Sequence, residues 1–231
     1  MKRPFFAALA LMTLLVRHSL AQEAVPDSKE RDREIGLNLG QAMIVGNEAD
    51  RLTDSLSMAL FYFKRLDSHW LAGIELGQSF KHVLKGVLSE EQLGDIDTPQ
   101  DGKKESLAFK SGAAVKVIWV TPMLKISFLD EDIKGDFRPY ALLGGGFYNV
   151  TNKAGVATLS GRTSAGANAA TTPFAIASNS DNALGFSIGG GFIALAGPNF
   201  ELGGDLRYHY VLSGAAGLRF LLPAARFTYQ F

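Results

Sequence analysis

Pro223-Ala-Ala-Arg-Phe-Thr-Tyr-Gln-Phe231 ends the chain. Its side chains alternate. Ala225, Phe227, Tyr229 and Phe231 fall on one face, and Ala224, Arg226, Thr228 and Gln230 on the other. Period-two alternation is the signature of a β-strand. An aromatic face that runs to the terminal residue, opposite a face carrying an arginine, suits a strand with lipid on one side and a polar lumen on the other. If that reading holds, the rest of the chain must supply more strands of the same kind and a route into a membrane.

The N-terminus supplies the route. Lys2 and Arg3 form a short basic region, residues 5–16 are apolar, and Ser19-Leu20-Ala21 is a small-x-small cleavage site. This is the pattern of a secretory signal peptide over residues 1–21, cut between Ala21 and Gln22 and too short to cross a bilayer as a helix. The chain has no cysteine, so neither lipid attachment through cysteine nor a disulfide framework is available. Residues 1–21 carry three basic side chains (Lys2, Arg3, Arg17) and no acidic one; the remainder has 20 basic and 23 acidic residues, a formal charge of −3. A nucleic-acid partner, which wants a basic patch, is therefore not expected. No later apolar run is long enough for a transmembrane helix, so a membrane role requires strands. Residues 22–33, charged and containing Pro26, read as a flexible leader, and 34–231 as one domain.

Within that domain the alternation recurs. Ile35, Leu37 and Leu39 oppose Gly36, Asn38 and Gly40. Leu56 to Lys64 is a strand with two plausible outward sets. From Trp70 to Lys81, Trp70, Ala72, Ile74, Leu76 and Phe80 share one face, while Gly73, Glu75, Gly77, Ser79 and Lys81 share the other. A polar loop over 82–106 precedes a fourth strand, Leu107 to Val120, with Leu107, Phe109, Ala113, Val115, Val117 and Trp119 outward and Lys110, Gly112, Ala114 and Lys116 inward. Pro122 breaks that pattern, and residues 124–129 could be a short extra strand. Phe137 to Tyr148 places Arg138, Tyr140, Gly144 and Gly146 inward. The Ala/Ser/Thr/Gly/Asn-rich stretch 151–183 reads as an exposed loop of low complexity. Leu184 to Ala194 and Phe200 to Tyr210 follow, the latter with Glu201, Gly203, Asp205, Arg207 and His209 inward.

The count is eight strands, with connections that alternate long and short, as in an antiparallel up-and-down transmembrane β-barrel. A ten-stranded barrel using 123–130 is the alternative. Outward aromatics near strand ends (Trp70, Phe80, Phe109, Trp119, Phe200, Tyr210, Phe231) suit two interfacial girdles.

Three stretches carry a family resemblance: "RPYALLGGGF" at 138–147, "GFSIGGGF" at 185–192 and "NFELGGDLRYHYV" at 199–211. They resemble the fifth, sixth and seventh strands of the OmpA-like and opacity-type small outer-membrane β-barrels. The resemblance covers nearly all of the chain after the signal peptide, with no peptidoglycan-binding domain after the barrel. It implies residence in the outer membrane of a Gram-negative bacterium, both termini in the periplasm, contact with outer-membrane lipid and lipopolysaccharide, and a C-terminal signal (Phe227, Tyr229, Phe231) read by the barrel-assembly machinery.

An eight-stranded barrel has a lumen that side chains can fill. Buried charges in it must pair. The candidate core is an ion-paired plug built on Glu75, Asp205, Arg207 and Arg226, with Lys116, Arg138 and Glu201 also inward. Its consequence is a largely closed lumen; a gated or very narrow conductance is the other outcome.

Catalysis finds little support. His69 sits in a turn and His82 at a loop base, each expected to be solvated; His209 alone lies within a strand. Outer-membrane lipid A deacylases, another eight-stranded family, carry His-x-Ser on a lipid-facing strand. Here the second residue after His209 is Val211, and Ser213 falls in a loop. The acidic loop residues Glu90, Glu91, Asp95, Asp97 and Asp101 depart from the EF-hand spacing, so no metal and no other cofactor is expected. The function expected is envelope structure and surface interaction, with external loops presented to an extracellular ligand. A porin-like small-solute channel is the alternative, and a lipid A-modifying enzyme the weaker one.

Overall fold

The computed structural model describes residues 32–84, 87–89, 106–109, 113–129, 137–160, 172–197, 199–212 and 217–231. The expected signal peptide and its Ala21/Gln22 cleavage site, most of the expected leader, Lys110, Gly112, Ser213 and the acidic loop residues lie outside them.

Among the described residues twelve strands occur in chain order: β1 (Arg33–Ile44), β2 (Ser55–Arg65), β3 (Trp70–Val83), β4 (Val87–Ser89), β5 (Ser106–Phe109), β6 (Ala114–Ser127), β7 (Arg138–Lys153), β8 (Gly155–Ser160), β9 (Thr172–Ile176), β10 (Asn179–Ala196), β11 (Phe200–Val211) and β12 (Leu218–Gln230). Eight of them close a barrel in the order β1-β12-β11-β10-β7-β6-β3-β2, every neighbour antiparallel. The expected eight-stranded barrel is therefore present. Closure removes every free edge, and with it the unpaired backbone groups that hydrocarbon would punish.

The seam lies between β1 and β12, where Asn38 stands opposite Arg226 and Leu37 opposite Phe227. It ends in a reciprocal pair of backbone bonds: Arg33 N donates to Phe231 O at 3.2 Å, and Phe231 N to Arg33 O at 3.1 Å. Arg33 is therefore already in the sheet. At the same end, Asp67 Oδ1 accepts from the backbone N–H of His69 (2.8 Å) and Trp70 (2.9 Å), which fixes the tight turn between β2 and β3.

Alternation sorts the side chains. Ile35, Leu39, Leu56, Leu60, Ile74, Leu76, Val120, Leu143, Ile188 and Leu206 project from the outer wall, Leu56 at 72% exposure. A continuous apolar band around a closed barrel is the lipid-facing surface of a membrane protein. The ambiguous β2 resolves with Leu56, Met58, Leu60 and Tyr62 outward, and Ser57, Ala59, Phe61 and Phe63 inward.

Four sequence expectations are corrected. The fourth barrel strand is 114–127, not 107–120, and its faces are reversed: Ala113, Val115, Val117 and Trp119 are buried, and Lys116 points outward. Residues 121–127 continue this strand rather than forming another, which removes the ten-stranded alternative. Pro122 fits because pairing with β7 is interrupted between Val120 and Met123, where its missing N–H is not needed. Third, a register shift between Ser79 and His82 turns Lys81 outward and His82 inward; His82 is fully buried, with Nδ1 2.8 Å from Thr53 O, rather than solvated. Fourth, the 82–106 and 151–183 connections contain strands. β4, β5, β8 and β9 pair in the order β4-β5-β8-β9, continuing the wall of β3, β6, β7 and β10 beyond the barrel at the end opposite Phe231. The aromatic girdles lose Trp119 to the lumen. Phe200, Tyr229, Phe231 and Trp70 mark one end, and Phe80 and Phe147 lie toward the other.

Candidate functional site

Inward positions of five strands converge on one charged chain. Lys125 on β6 donates from Nζ to both carboxylate oxygens of Glu34 on β1, at 2.9 Å each. Arg226 on β12 approaches Glu34 with Nη2 (3.4 Å) and Asp205 on β11 with Nη1 (3.6 Å). Arg207 reaches the same Asp205 oxygen with Nε at 3.6 Å, and its Nη1 donates to Glu75 Oε2 on β3. Sign alternates along the whole path, Lys125–Glu34–Arg226–Asp205–Arg207–Glu75, so three cations meet three anions.

Neutral donors complete it. Trp119 Nε1 donates to Glu75 Oε1 at 2.8 Å, Asn38 Nδ2 to Glu75 Oε2 at 3.4 Å, and the Tyr140 hydroxyl to Asp205 Oδ1. Arg226 lies over Phe61, with its guanidinium carbon 3.7 Å from the ring centroid, and its Nε donates to Thr228 Oγ1 at 3.2 Å. All six charged residues are at most 5% exposed. Buried charges at this density persist only when each has an opposite partner.

Glu75, Asp205, Arg207 and Arg226 were expected here, and the structure brings them together. Arg138 and Glu201 form a separate pair, Arg138 Nη2 donating to Glu201 Oε1. Lys116 takes no part, because it is on the outer wall. Two members escaped the sequence reading. Glu34 opens the first strand with the inward parity of Gly36 and Asn38, but is not among the inward charges read from the sequence. Lys125 has the parity of Trp119 but lies beyond Pro122.

Toward the far end the lumen changes character. The His209 ring stacks on Phe220 at 4.6 Å and 7°, beside Trp119 at 5.3 Å, and its Nδ1 is 3.0 Å from the Tyr148 hydroxyl. Val115, Val117, Val150, Val211 and Leu222 surround this collar. His209 is therefore a packing element of the lumen wall. A second apolar group, including Phe63, Leu71 and Ile193, borders the ions near the Phe231 end. Among the described residues no group of three or more metal-ligating side chains occurs.

An unbroken barrel with an apolar outer band and a salt-bridged interior has clear counterparts among solved structures. Neisserial surface protein A superposes with a TM-score of 0.50 at 13% identity, covering 86% of this chain and 97% of that one. The outer membrane protease OmpT of Escherichia coli gives 0.51 at 9% identity, covering 92% and 99%. This chain has the fold of the small outer-membrane β-barrels. OprG of Pseudomonas aeruginosa, another outer membrane protein, is matched over 87% of this chain and 96% of that one, with a TM-score of 0.45 at 11% identity. No protein-family model matches the sequence, and no curated protein matches it significantly.

Proposed function

We propose that this barrel is a non-catalytic outer-membrane protein, with both termini in the periplasm and a lumen closed by its ion chain, acting in envelope structure and surface interaction. The observation that carries the reading is the alternating chain from Lys125 to Glu75, which crosses the lumen through five strands and, among the described residues, leaves no charged side chain in it unpartnered. The wall extension β4-β5-β8-β9 then stands on the extracellular side, and offers its surface to a ligand.

The test is electrical. Purified barrel in a planar bilayer is expected to show no steady conductance, and a large steady current would overturn the closed lumen. A small-solute channel is the second reading. It is favoured by the buried polar atoms Asn38 Oδ1, Arg207 Nη2 and His209 Nε2, which lack hydrogen-bond partners among the described residues. Replacing residues 155–176 by a short turn is expected to abolish surface attachment while the barrel still folds; unchanged attachment would move the interaction elsewhere.

The closing strand supports a proposal about assembly. Phe227, Tyr229 and Phe231 face outward, with Tyr229 and Phe231 stacked at 6.1 Å, and Phe231 is 44% exposed. Deleting Phe231 is expected to deplete the folded barrel in cells, through poor engagement of the assembly machinery, while spontaneous folding into detergent survives. Equal loss in both settings would assign Phe231 to the seam alone.

A further inference from the structure

The bulge in β3 has an outcome that neither the fold nor the lumen requires. β3 spends two residues, Phe80 and Lys81, opposite the single Lys116 of β6: Ser79 pairs with Val117 and His82 with Val115. A bulge re-aims side chains, and this one puts Lys81 on the outer wall facing Lys116. Thr151 of β7 lies opposite Lys116 on its other side, and Lys153 is two residues further along β7, opposite Ala114. Lys81 and Lys153 are exposed and Lys116 half-buried. Like charges on directly opposed strand positions repel. Yet among the described residues none of the three has a carboxylate partner. Such an arrangement calls for an anion.

The position identifies its source. Along β6 the outward series runs Ile126, Leu124, Pro122, Val120, Ile118, Lys116. Ile126 is level with Trp70 at the Phe231 end. Ten residues of strand tilted by about 40° rise roughly 25 Å, the height of the apolar band of such barrels. Lys116 therefore sits where the band ends and lipid headgroups begin. Phe80 flanks it, 43% exposed, and Phe147, 70% exposed, stands opposite Val120, two outward positions below.

Beside the lysines the outer wall turns polar. Asn149 Nδ2 donates to Ser180 Oγ (2.9 Å) and Asn182 Oδ1 (2.8 Å), and Thr151 Oγ1 donates to Asn149 Oδ1 (2.8 Å). Three amines next to a ladder of hydroxyls and amides, above an apolar wall, match a phosphorylated headgroup whose acyl chains lie along the barrel.

We infer that Lys81, Lys116 and Lys153, with the Asn149–Thr151–Ser180 ladder, form a binding site on the outer wall for the phosphate groups of a membrane glycolipid in the far leaflet. The site rests on the barrel's spanning a membrane, and is independent of whether the lumen conducts or the extended sheet binds a ligand.

Native mass spectrometry of the barrel in a non-ionic detergent tests it, with bis-phosphorylated lipid A, dephosphorylated lipid A and inorganic phosphate as probes. Wild-type protein is expected to retain lipid A and to lose it when the phosphates are removed, a comparison that needs no variant. Lys81→Gln/Lys116→Gln/Lys153→Gln is expected to weaken retention by about a hundredfold, from a contribution of several-fold per lysine at a membrane surface. Lys64→Gln, at the Phe231 end, is expected to change nothing. Heat-dependent gel mobility confirms that each variant is folded. Equal retention of the two lipid A forms by wild-type protein would overturn the site. So would equal retention by wild type and the triple variant, as when the lysines are held by the chain's own acidic loop, or competition by millimolar inorganic phosphate, which would mark a general anion site.

Discussion

Replacing Arg226 with alanine is expected to destabilise the folded barrel by about 3–5 kcal/mol, the usual cost of removing one member of a buried ion pair. Arg226 is the central link of the chain. Its guanidinium stands between Glu34 and Asp205, and without it three buried anions share two cations. The loss of its stacking on Phe61 adds to the cost. Urea unfolding of protein refolded into lipid vesicles would measure the change. The electrostatic origin can be isolated by a second substitution. Asp205→Asn restores charge balance, and its amide oxygen can still accept from the Tyr140 hydroxyl. The double variant Arg226→Ala/Asp205→Asn should therefore be more stable than Arg226→Ala alone. Additive losses would show that the two residues are not coupled and that the chain is a set of independent pairs.

The same chain shows what the sequence could and could not disclose. Glu75, Asp205, Arg207 and Arg226 were legible because each interrupts a clean apolar/polar alternation on a strand whose outer face is in lipid. There, charge means lumen. That rule fails where the lumen itself becomes apolar. On β6, Val115, Val117 and Trp119 point into the aromatic collar while Lys116 points out at the edge of the band, so hydropathy alone assigns both faces backwards. The bulge at 79–82 defeats parity for a different reason: one extra residue flips everything after it, and no local residue preference announces it.

Proline misled in a third way. Pro122 would break a fully paired central strand, but here it falls where the ladder to β7 is already interrupted. Pro223 sits in a comparable gap, between the Gly40–Ala224 and Met43–Leu221 pairs of the seam. With Pro122 taken as a terminus, Lys125 falls in the optional short strand 124–129, outside the eight counted, and Glu34 loses its nearest partner. The extended sheet was hidden by composition, since 151–183 is rich in small and polar residues that favour coil, and β8 and β9 gain their order from pairing with each other and with β5.

Gly77→Val is expected to be more damaging than any single charge removal, and to prevent the folded form altogether. A Cβ at residue 77 would collide with the indole of Trp119, directly opposite on β6. Ordinary overpacking costs about 1–3 kcal/mol because neighbours give way. Trp119 has nowhere to go: it is fully buried, held by His209 at 5.3 Å and Phe220 at 5.9 Å, and its Nε1 donates to Glu75. Moving the indole would also strip Glu75 of a donor, so the clash in the collar would be felt in the ion chain. The check is the heat-modifiable gel band after refolding, which Gly77→Val should lack. Adding Trp119→Ala should restore the band by opening the space that valine needs. Trp119→Ala alone should fold but lose about 3–5 kcal/mol through the cavity it leaves. The rescue carries the test, because a glycine needed only for backbone freedom would not be rescued by shrinking a side chain on the next strand. Gly77 has no positive φ that would require such freedom. What residue 77 supplies is room, and the room is what lets one tryptophan join the aromatic storey of the lumen to the ionic one.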